Sequence, residues 1–305
     1  MKKEKIKNSS IIGYSGTIGK TLCDKVNFTS RYNSKNIEKI RNKKFELIVC
    51  AGAPGSMANA NRNPKSDLRS INKLIKYLKQ TDATQFVLIS TIQVYTNIKK
   101  KNNENSIELN NQKTYGKNRK KLEKFCIQNF KNCRIIRLPS IFGPHIKKNF
   151  IFDIKNPLPT FLTFDKYNFI VSQIPKALSD MSKVYFFNKT DNIFYLNRKK
   201  ITNKQSKNLI KLLNKKNYLA TSFVNPNSSY QYYNLDNLWN DVKISLNNSI
   251  ETLNLSVEPL LAKKIYKTLT RKKMKINNSI LYKANMITLY SQYWGKKNNY
   301  IYDKK

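Results

Sequence analysis

The sequence predicts an α/β protein built on a doubly wound parallel sheet, followed by a smaller C-terminal region. Three observations carry this reading. Short apolar runs alternate with longer amphipathic stretches through the first half of the chain, the pattern of successive βαβ units. The runs are continuously apolar, as strands covered on both faces require. A glycine-spaced turn, Gly13 to Gly19, joins the first run to the first helical stretch.

The strand-like runs are Ser10 to Gly13, Phe45 to Cys50, Gln85 to Ser90 and Cys133 to Leu138, each aliphatic or β-branched. Between them, helical spacing of apolar residues marks Ile18 to Val26, Asp67 to Leu78 and Lys117 to Asn129. A second strand is expected to end in the region Phe28 to Tyr32. From Phe150 to about Phe223 the pattern loosens, with Pro157, Pro159 and Pro175 and a lysine-rich helix at Asn203 to Lys216. A strand at Tyr230 to Leu235, a helix at Asn237 to Leu246 and a strand at Thr252 to Leu255 come next. The last predicted helix runs from Glu258 to Leu269 with Ser256 as its cap, and a basic, tyrosine-rich tail begins at Lys272. Residues 1–149 therefore form a first domain, completed by about 229–257. Residues 150–228 read as an insertion or substrate region, and 258–305 as a C-terminal substrate region and tail.

Composition narrows the partners. Over 305 residues, Lys and Arg number 58 against 18 Asp and Glu, for a formal charge of +40. Such a surface attracts phosphate backbones through counterion release. The basic residues are, however, mostly lysine and scattered along the whole chain, so the sequence predicts no specific nucleic-acid partner, only weak salt-sensitive association. Cys23, Cys50, Cys126 and Cys133 show no CxxC spacing, and His145 is the one histidine. Reduced, buried thiols and no metal site are expected. No run of apolar residues is long enough to cross a bilayer, so no membrane partner is predicted and a cytoplasmic location is expected.

Gly13-Tyr14-Ser15-Gly16-Thr17-Ile18-Gly19 follows the first strand and opens the first helix. In that setting GxxGxxG is a dinucleotide-binding turn. Gly13 permits the tight turn, Gly16 lets a pyrophosphate approach the backbone, and Gly19 lets the helix pack closely on the sheet. The helix N-terminus at Thr17 and Ile18 offers unpaired N–H groups and a positive dipole end. The first domain is accordingly Rossmann-type, with NAD or NADP as cofactor. At the end of the second strand, Phe28-Thr29-Ser30-Arg31-Tyr32 carries no acidic residue for the ribose diol of NAD, and Arg31 favours the 2′-phosphate of NADP.

Four further stretches, taken in order with this turn, resemble the extended short-chain dehydrogenase/reductase family of NAD-dependent epimerases and dehydratases acting on nucleotide sugars. Cys50-Ala51-Gly52-Ala53 is similar to the family's small-residue turn beside the adenine side of the cofactor. Ile89 to Tyr95 resembles its strand ending in a catalytic Ser or Thr, which places Thr91 in that role. Thr114 to Glu123 is similar to the YxxxK helix, with Tyr115 as acid/base. Arg137 to Pro144 resembles the segment that ends beside the nicotinamide, at Pro139. Downstream, Tyr232 to Leu238, Leu253 to Leu255 and Glu258-Pro259 resemble the family's late elements, so the likeness is patchy only between about Pro157 and Phe223 and in the tail. The resemblance implies an enzyme, a small-molecule substrate such as a sugar or nucleotide sugar, a cleft at the carboxyl ends of the strands, and a homodimer.

In this chemistry a tyrosine moves the proton of a hydroxyl while hydride passes to or from the nicotinamide, and a cation one helical turn away lowers the tyrosine pKa from about 10 and grips the ribose. Four residues past Tyr115 stands Arg119 instead of the family's lysine. Arginine keeps the charge but is bulkier and relays no proton. Thr91 would orient the substrate oxygen. Ile92 and Gln93 stand where dehydratases carry an acidic pair, which disfavours dehydration. Asn227 to Gln231 lack the arginine that often grips a nucleotide diphosphate. The reading is thus an NAD(P)-dependent epimerase or reductase. Its rivals are a non-catalytic NAD(P)-binding regulator, suggested by Arg119, and a nucleic-acid-binding relative of the same fold.

Overall fold

The computed structural model describes residues 3–107, 113–190 and 192–303. The chain divides into two compact units, Met1–His145 with Tyr230–Pro259 and Lys283–Lys305, and Ile146–Ser229 with Leu260–Tyr282. The segment expected to form one C-terminal region is thus shared, its last stretch folding with the first unit.

The first unit is a parallel sheet with helices on its faces. Its elements are β1 (Glu4–Ile12), α1 (Thr17–Lys25), β2 (Val26–Tyr32), β3 (Lys44–Cys50), α2 (Met57–Arg62), α3 (Pro64–Leu78), β4 (Asp82–Thr91), α4 (Thr114–Asn129) and β5 (Cys133–Leu138). Across the sheet the order is Thr252–Asn254, β5, β4, β3, β1, β2, and every neighbouring pair is parallel. The fold is therefore Rossmann-type. The order in which strands are added reverses between β1 and β3, and a crevice at such a switch point is where open α/β sheets bind ligands.

The predicted strands are the buried parts of the real ones. Only Ser9 to Ile12 of β1 are buried, and its polar first half pairs with β2 alone, around an irregularity at Asn8, whose φ is 42°. Ile48, Cys50, Phe86, Leu88 and Ile135 of the sheet pack under Ile71, Leu74 and Leu78 of α3 and Leu122, Phe125 and Cys126 of α4. All four cysteines are free and buried. The strand expected at Tyr230 to Leu235 is present as the shorter Tyr232–Asn234, paired in parallel with Ser140–Phe142. The last helix begins at Ala262, four residues late, because Leu260–Leu261 ahead of it is extended strand. Ser256 does not cap that helix; it is buried, and its hydroxyl donates to the Asn299 carbonyl at 3.1 Å. The tyrosine-rich tail is also anchored, since Trp294 and Tyr302 donate to the buried Asp241 carboxylate at 2.8 and 2.9 Å.

The second unit carries its own core, around Leu162, Tyr167, Ile170, Met181, Leu209 and Leu213, beside a three-stranded antiparallel sheet. Asn203–Lys215 is the expected lysine-rich helix, closed by a capping box of Thr202 and Gln205. Burial raises the Asp153 carboxyl from its usual 3.8 to about 6, against an opposing pull from Arg198. The folded unit thus holds a proton that the unfolded chain has released, and the stability contributed by Asp153 declines as pH rises from 3.8 to about 6. Asp153→Asn should remove that decline. Calorimetric scans should show a raised unfolding temperature at pH 7 and little change at pH 4.

No helix among the described residues is long and apolar enough to cross a membrane.

Candidate active site

Gly13 ends β1 with φ +88°, a conformation that disfavours any side chain, and an added Cβ would lie 2.3 Å from the Ala51 carbonyl oxygen. The Ala51-Gly52 turn after β3 therefore packs directly on the glycine loop. Gly19 is equally constrained, since a Cβ there would meet the Gly13 carbonyl oxygen at 2.1 Å. Both residues are glycine for reasons inside the protein. Gly16 is not: its Cβ would make one ordinary contact, to the Gly13 oxygen at 3.4 Å. It stands at the cap of α1, ahead of the Thr17, Ile18 and Gly19 N–H groups that have no acceptor within the helix. The loop thus presents bare backbone and a helix N-terminus outward, a cradle suited to a pyrophosphate.

Arg31 lies exposed on β2 and bonds Asn27 at 3.2 Å; with Lys3, Tyr14, Ser15 and Lys20 it lines a basic recess beside the loop. The same recess contains His145, held to Asp24 at 2.8 Å. Pro139 is half-buried after β5.

The YxxxK-like helix is α4, and its N-terminal turn is held by Asn61 of α2, which accepts the Tyr115 N–H at 3.0 Å. Thr91, at the end of β4, hydrogen-bonds the Tyr115 phenol, so the structure brings Thr91, Tyr115 and Arg119 together. Arg119 is not directed as the spacing alone suggested. Its guanidinium carbon sits 4.0 Å from the centroid of the Tyr115 ring. Nη1 pairs with Asp67 of α3 at 2.5 Å, both side chains being only 3% exposed. Nη2 donates to the Pro54 carbonyl, and Nε has no hydrogen-bond partner among the described residues. Asn118 adds a second bond to Asp67, at 2.7 Å.

The expected downward pull of the cation on the tyrosine is present but outweighed, chiefly by burial. Burial pushes the phenol above its usual 10.0; Arg119 and the Thr91 hydrogen bond pull it down, but Asp67 adds to the rise and the balance is upward. Asp67 was legible as a helix residue and not as part of the site. Its spacing held the signal, because Asp67, Ile71, Leu74 and Leu78 share one buried face, and an acid on an apolar stripe needs a buried partner.

A second charged pair anchors α4 from below. Arg137 of β5 grips Glu123 through two bonds, Nε at 3.0 Å and Nη2 at 2.8 Å, and its Nη1 donates to the Tyr95 hydroxyl at 2.7 Å. Ser90, the residue before Thr91, donates to Glu123 at 2.6 Å. Strand end and helix are thereby fixed to each other.

No protein-family model and no curated protein matches the sequence. The structure, in contrast, superposes along nearly its whole length on solved nucleotide-sugar enzymes. UDP-glucuronic acid 4-epimerase of Bacillus cereus, in complex with UDP-glucuronic acid and NAD, is 12% identical with a TM-score of 0.57, over 95% of this chain and 92% of that one. UDP-glucose 4-epimerase of Thermotoga maritima, with UDP-glucose, is 12% identical with a TM-score of 0.56, over 93% and 91%. The dTDP-4-dehydrorhamnose reductase of Bacillus anthracis, in complex with NADP, is 14% identical with a TM-score of 0.54, over 99% and 91%. The Rossmann-type fold is shared with these enzymes. At such low identity the likeness establishes architecture, and the chemistry rests on the residues.

Proposed function

We propose that the chain is an NAD(P)-dependent reductase or epimerase acting on a sugar or nucleotide sugar. The observation that carries this is Gly16, a glycine with no neighbour inside the protein to require it, at the cap of α1 in a fold whose solved members bind NAD or NADP. Gly13, Gly16, Thr17, Ile18 and Gly19 hold the pyrophosphate; Ala51 and Gly52 lie on the adenine side, and Pro139 beside the nicotinamide. Arg31 favours the 2′-phosphate of NADP, supported by the basic recess it lines with Lys20. When bound, the dinucleotide supplies or accepts hydride. Thr91 orients the substrate oxygen and Tyr115 exchanges its proton. Arg119 orients Tyr115 from one face of its ring.

Titration with NADPH and NADH, followed by nicotinamide fluorescence, tests the cofactor assignment; a folded protein that binds neither refutes it. Tyr115→Phe should retain cofactor affinity and lose at least about 100-fold in turnover of an active nucleotide sugar, as expected for loss of general acid–base catalysis. The commitment of Arg119 to Asp67 and Pro54 favours a second reading, a non-catalytic NAD(P)-binding regulator. That reading takes the lead if Tyr115→Phe turns over substrate as fast as the parent.

A further inference from the structure

Three charged or polar groups face the Tyr115 phenol: Arg119 from its own helix, Asp67 from α3 and the Thr91 hydroxyl from the end of β4. The cation that would favour a phenolate is tied to a carboxylate at 2.5 Å, and both are buried. A pair of opposite unit charges so close presents little net charge to a group on its flank. What remains is the cost of burying an ionised phenol. We infer that Asp67 is a positioning residue that holds Arg119 under the Tyr115 ring with its charge cancelled, so that the site gives a proton to a carbonyl oxygen instead of taking one from a hydroxyl. This rests on the nicotinamide-dependent reading above and selects, within it, carbonyl reduction. The step balances: the carbonyl carbon takes hydride from the reduced nicotinamide, which becomes oxidised. The carbonyl oxygen takes the Tyr115 proton, an alcohol forms, and the phenolate left behind regains a proton from water.

Cζ-labelled tyrosine in the full chain, with the Tyr115 resonance assigned by its loss in Tyr115→Phe, gives the ionisation midpoint of this residue by NMR without any substrate. In Asp67→Asn the guanidinium keeps its place and volume but loses its counter-charge. The midpoint should fall by about 1–3 pH units, the usual effect of a close uncancelled cation. An unchanged midpoint in folded Asp67→Asn overturns the inference. The double variant Asp67→Asn/Arg119→Gln buries no charge and covers the case in which the single one does not fold. Its midpoint should stay within about one pH unit of the parent, and a larger departure in either direction overturns the inference. NADPH titration of the parent runs in parallel: its failure refutes the dinucleotide reading while leaving the Asp67 result to stand or fall on the NMR midpoint.

Discussion

Gly16→Val is expected to abolish dinucleotide binding in a protein that still folds, whereas Gly19→Ala, a smaller change three residues on, is expected to damage the fold itself. The contrast follows from what surrounds each position. Gly16 has φ −78° and ψ 170°, an extended conformation that valine adopts readily. The first atom of the new side chain meets only the Gly13 oxygen at 3.4 Å, and the rest projects outward. The stability cost is that of a poor helix cap, about 1 kcal/mol. The same side chain fills the cradle in front of the α1 N-terminus, so affinity for NADPH should fall by at least about 100-fold, or roughly 2.7 kcal/mol. At Gly19 the added Cβ would lie 2.1 Å from one backbone atom and 2.7 Å from two others, in the Gly13-Tyr14 turn. Helix or loop must move, at a cost of about 1–3 kcal/mol or more. Calorimetric NADPH titration and thermal unfolding of the two variants separate the effects. Unaltered affinity in folded Gly16→Val would remove the cofactor assignment.

The sheet was legible because its physics is local. Continuous aliphatic runs mark the buried centres of β3, β4 and β5, and a helix that opens on Thr17 after spaced glycines needs no distant information. The missing parts depend on contacts between segments far apart in sequence. The polar start of β1 is a strand only because β2 pairs with it. The tail shows no periodicity, yet it is ordered by Trp294 and Tyr302 finding Asp241. In the site, the sequence placed Tyr115 and Arg119 one helical turn apart and Thr91 at a strand end. It was silent on where the guanidinium turns, which is set by Asp67 on another helix and by the Pro54 carbonyl in the turn after β3. A spacing rule carries charge into a site; a neighbouring helix decides whether that charge acts.

Glu123→Gln should be the most destabilising single substitution on α4 that leaves the residues of the site in place. Glu123 is fully buried, and its two oxygens are taken by Arg137, Ser90 and Lys120. Glutamine preserves the volume and removes the charge, stranding the Arg137 guanidinium in the sheet, where it is 4% exposed. Breaking one side of a buried ion pair costs about 3–5 kcal/mol, much of it the isolation of the remaining charge. Arg137→Met added to Glu123→Gln should recover a large part of the loss, because neither charge is then buried alone. The same pair predicts the response to acid. Burial alone would raise Glu123, but the hydrogen bonds and charge of Arg137 outweigh it and hold the carboxyl below its usual 4.5. A carboxylate lowered in the folded state contributes its stability in full above the unfolded value and loses it as pH falls through the folded one. The parent should therefore lose stability below about pH 4.5, and Glu123→Gln, already without this contribution, should show a shallower acid dependence. Trp239 and Trp294, the two tryptophans, both lie in the first unit, so their fluorescence during denaturant unfolding reports on the unit that contains the pair. An acid limb equally steep in parent and variant would place the acid-labile group elsewhere than at Glu123.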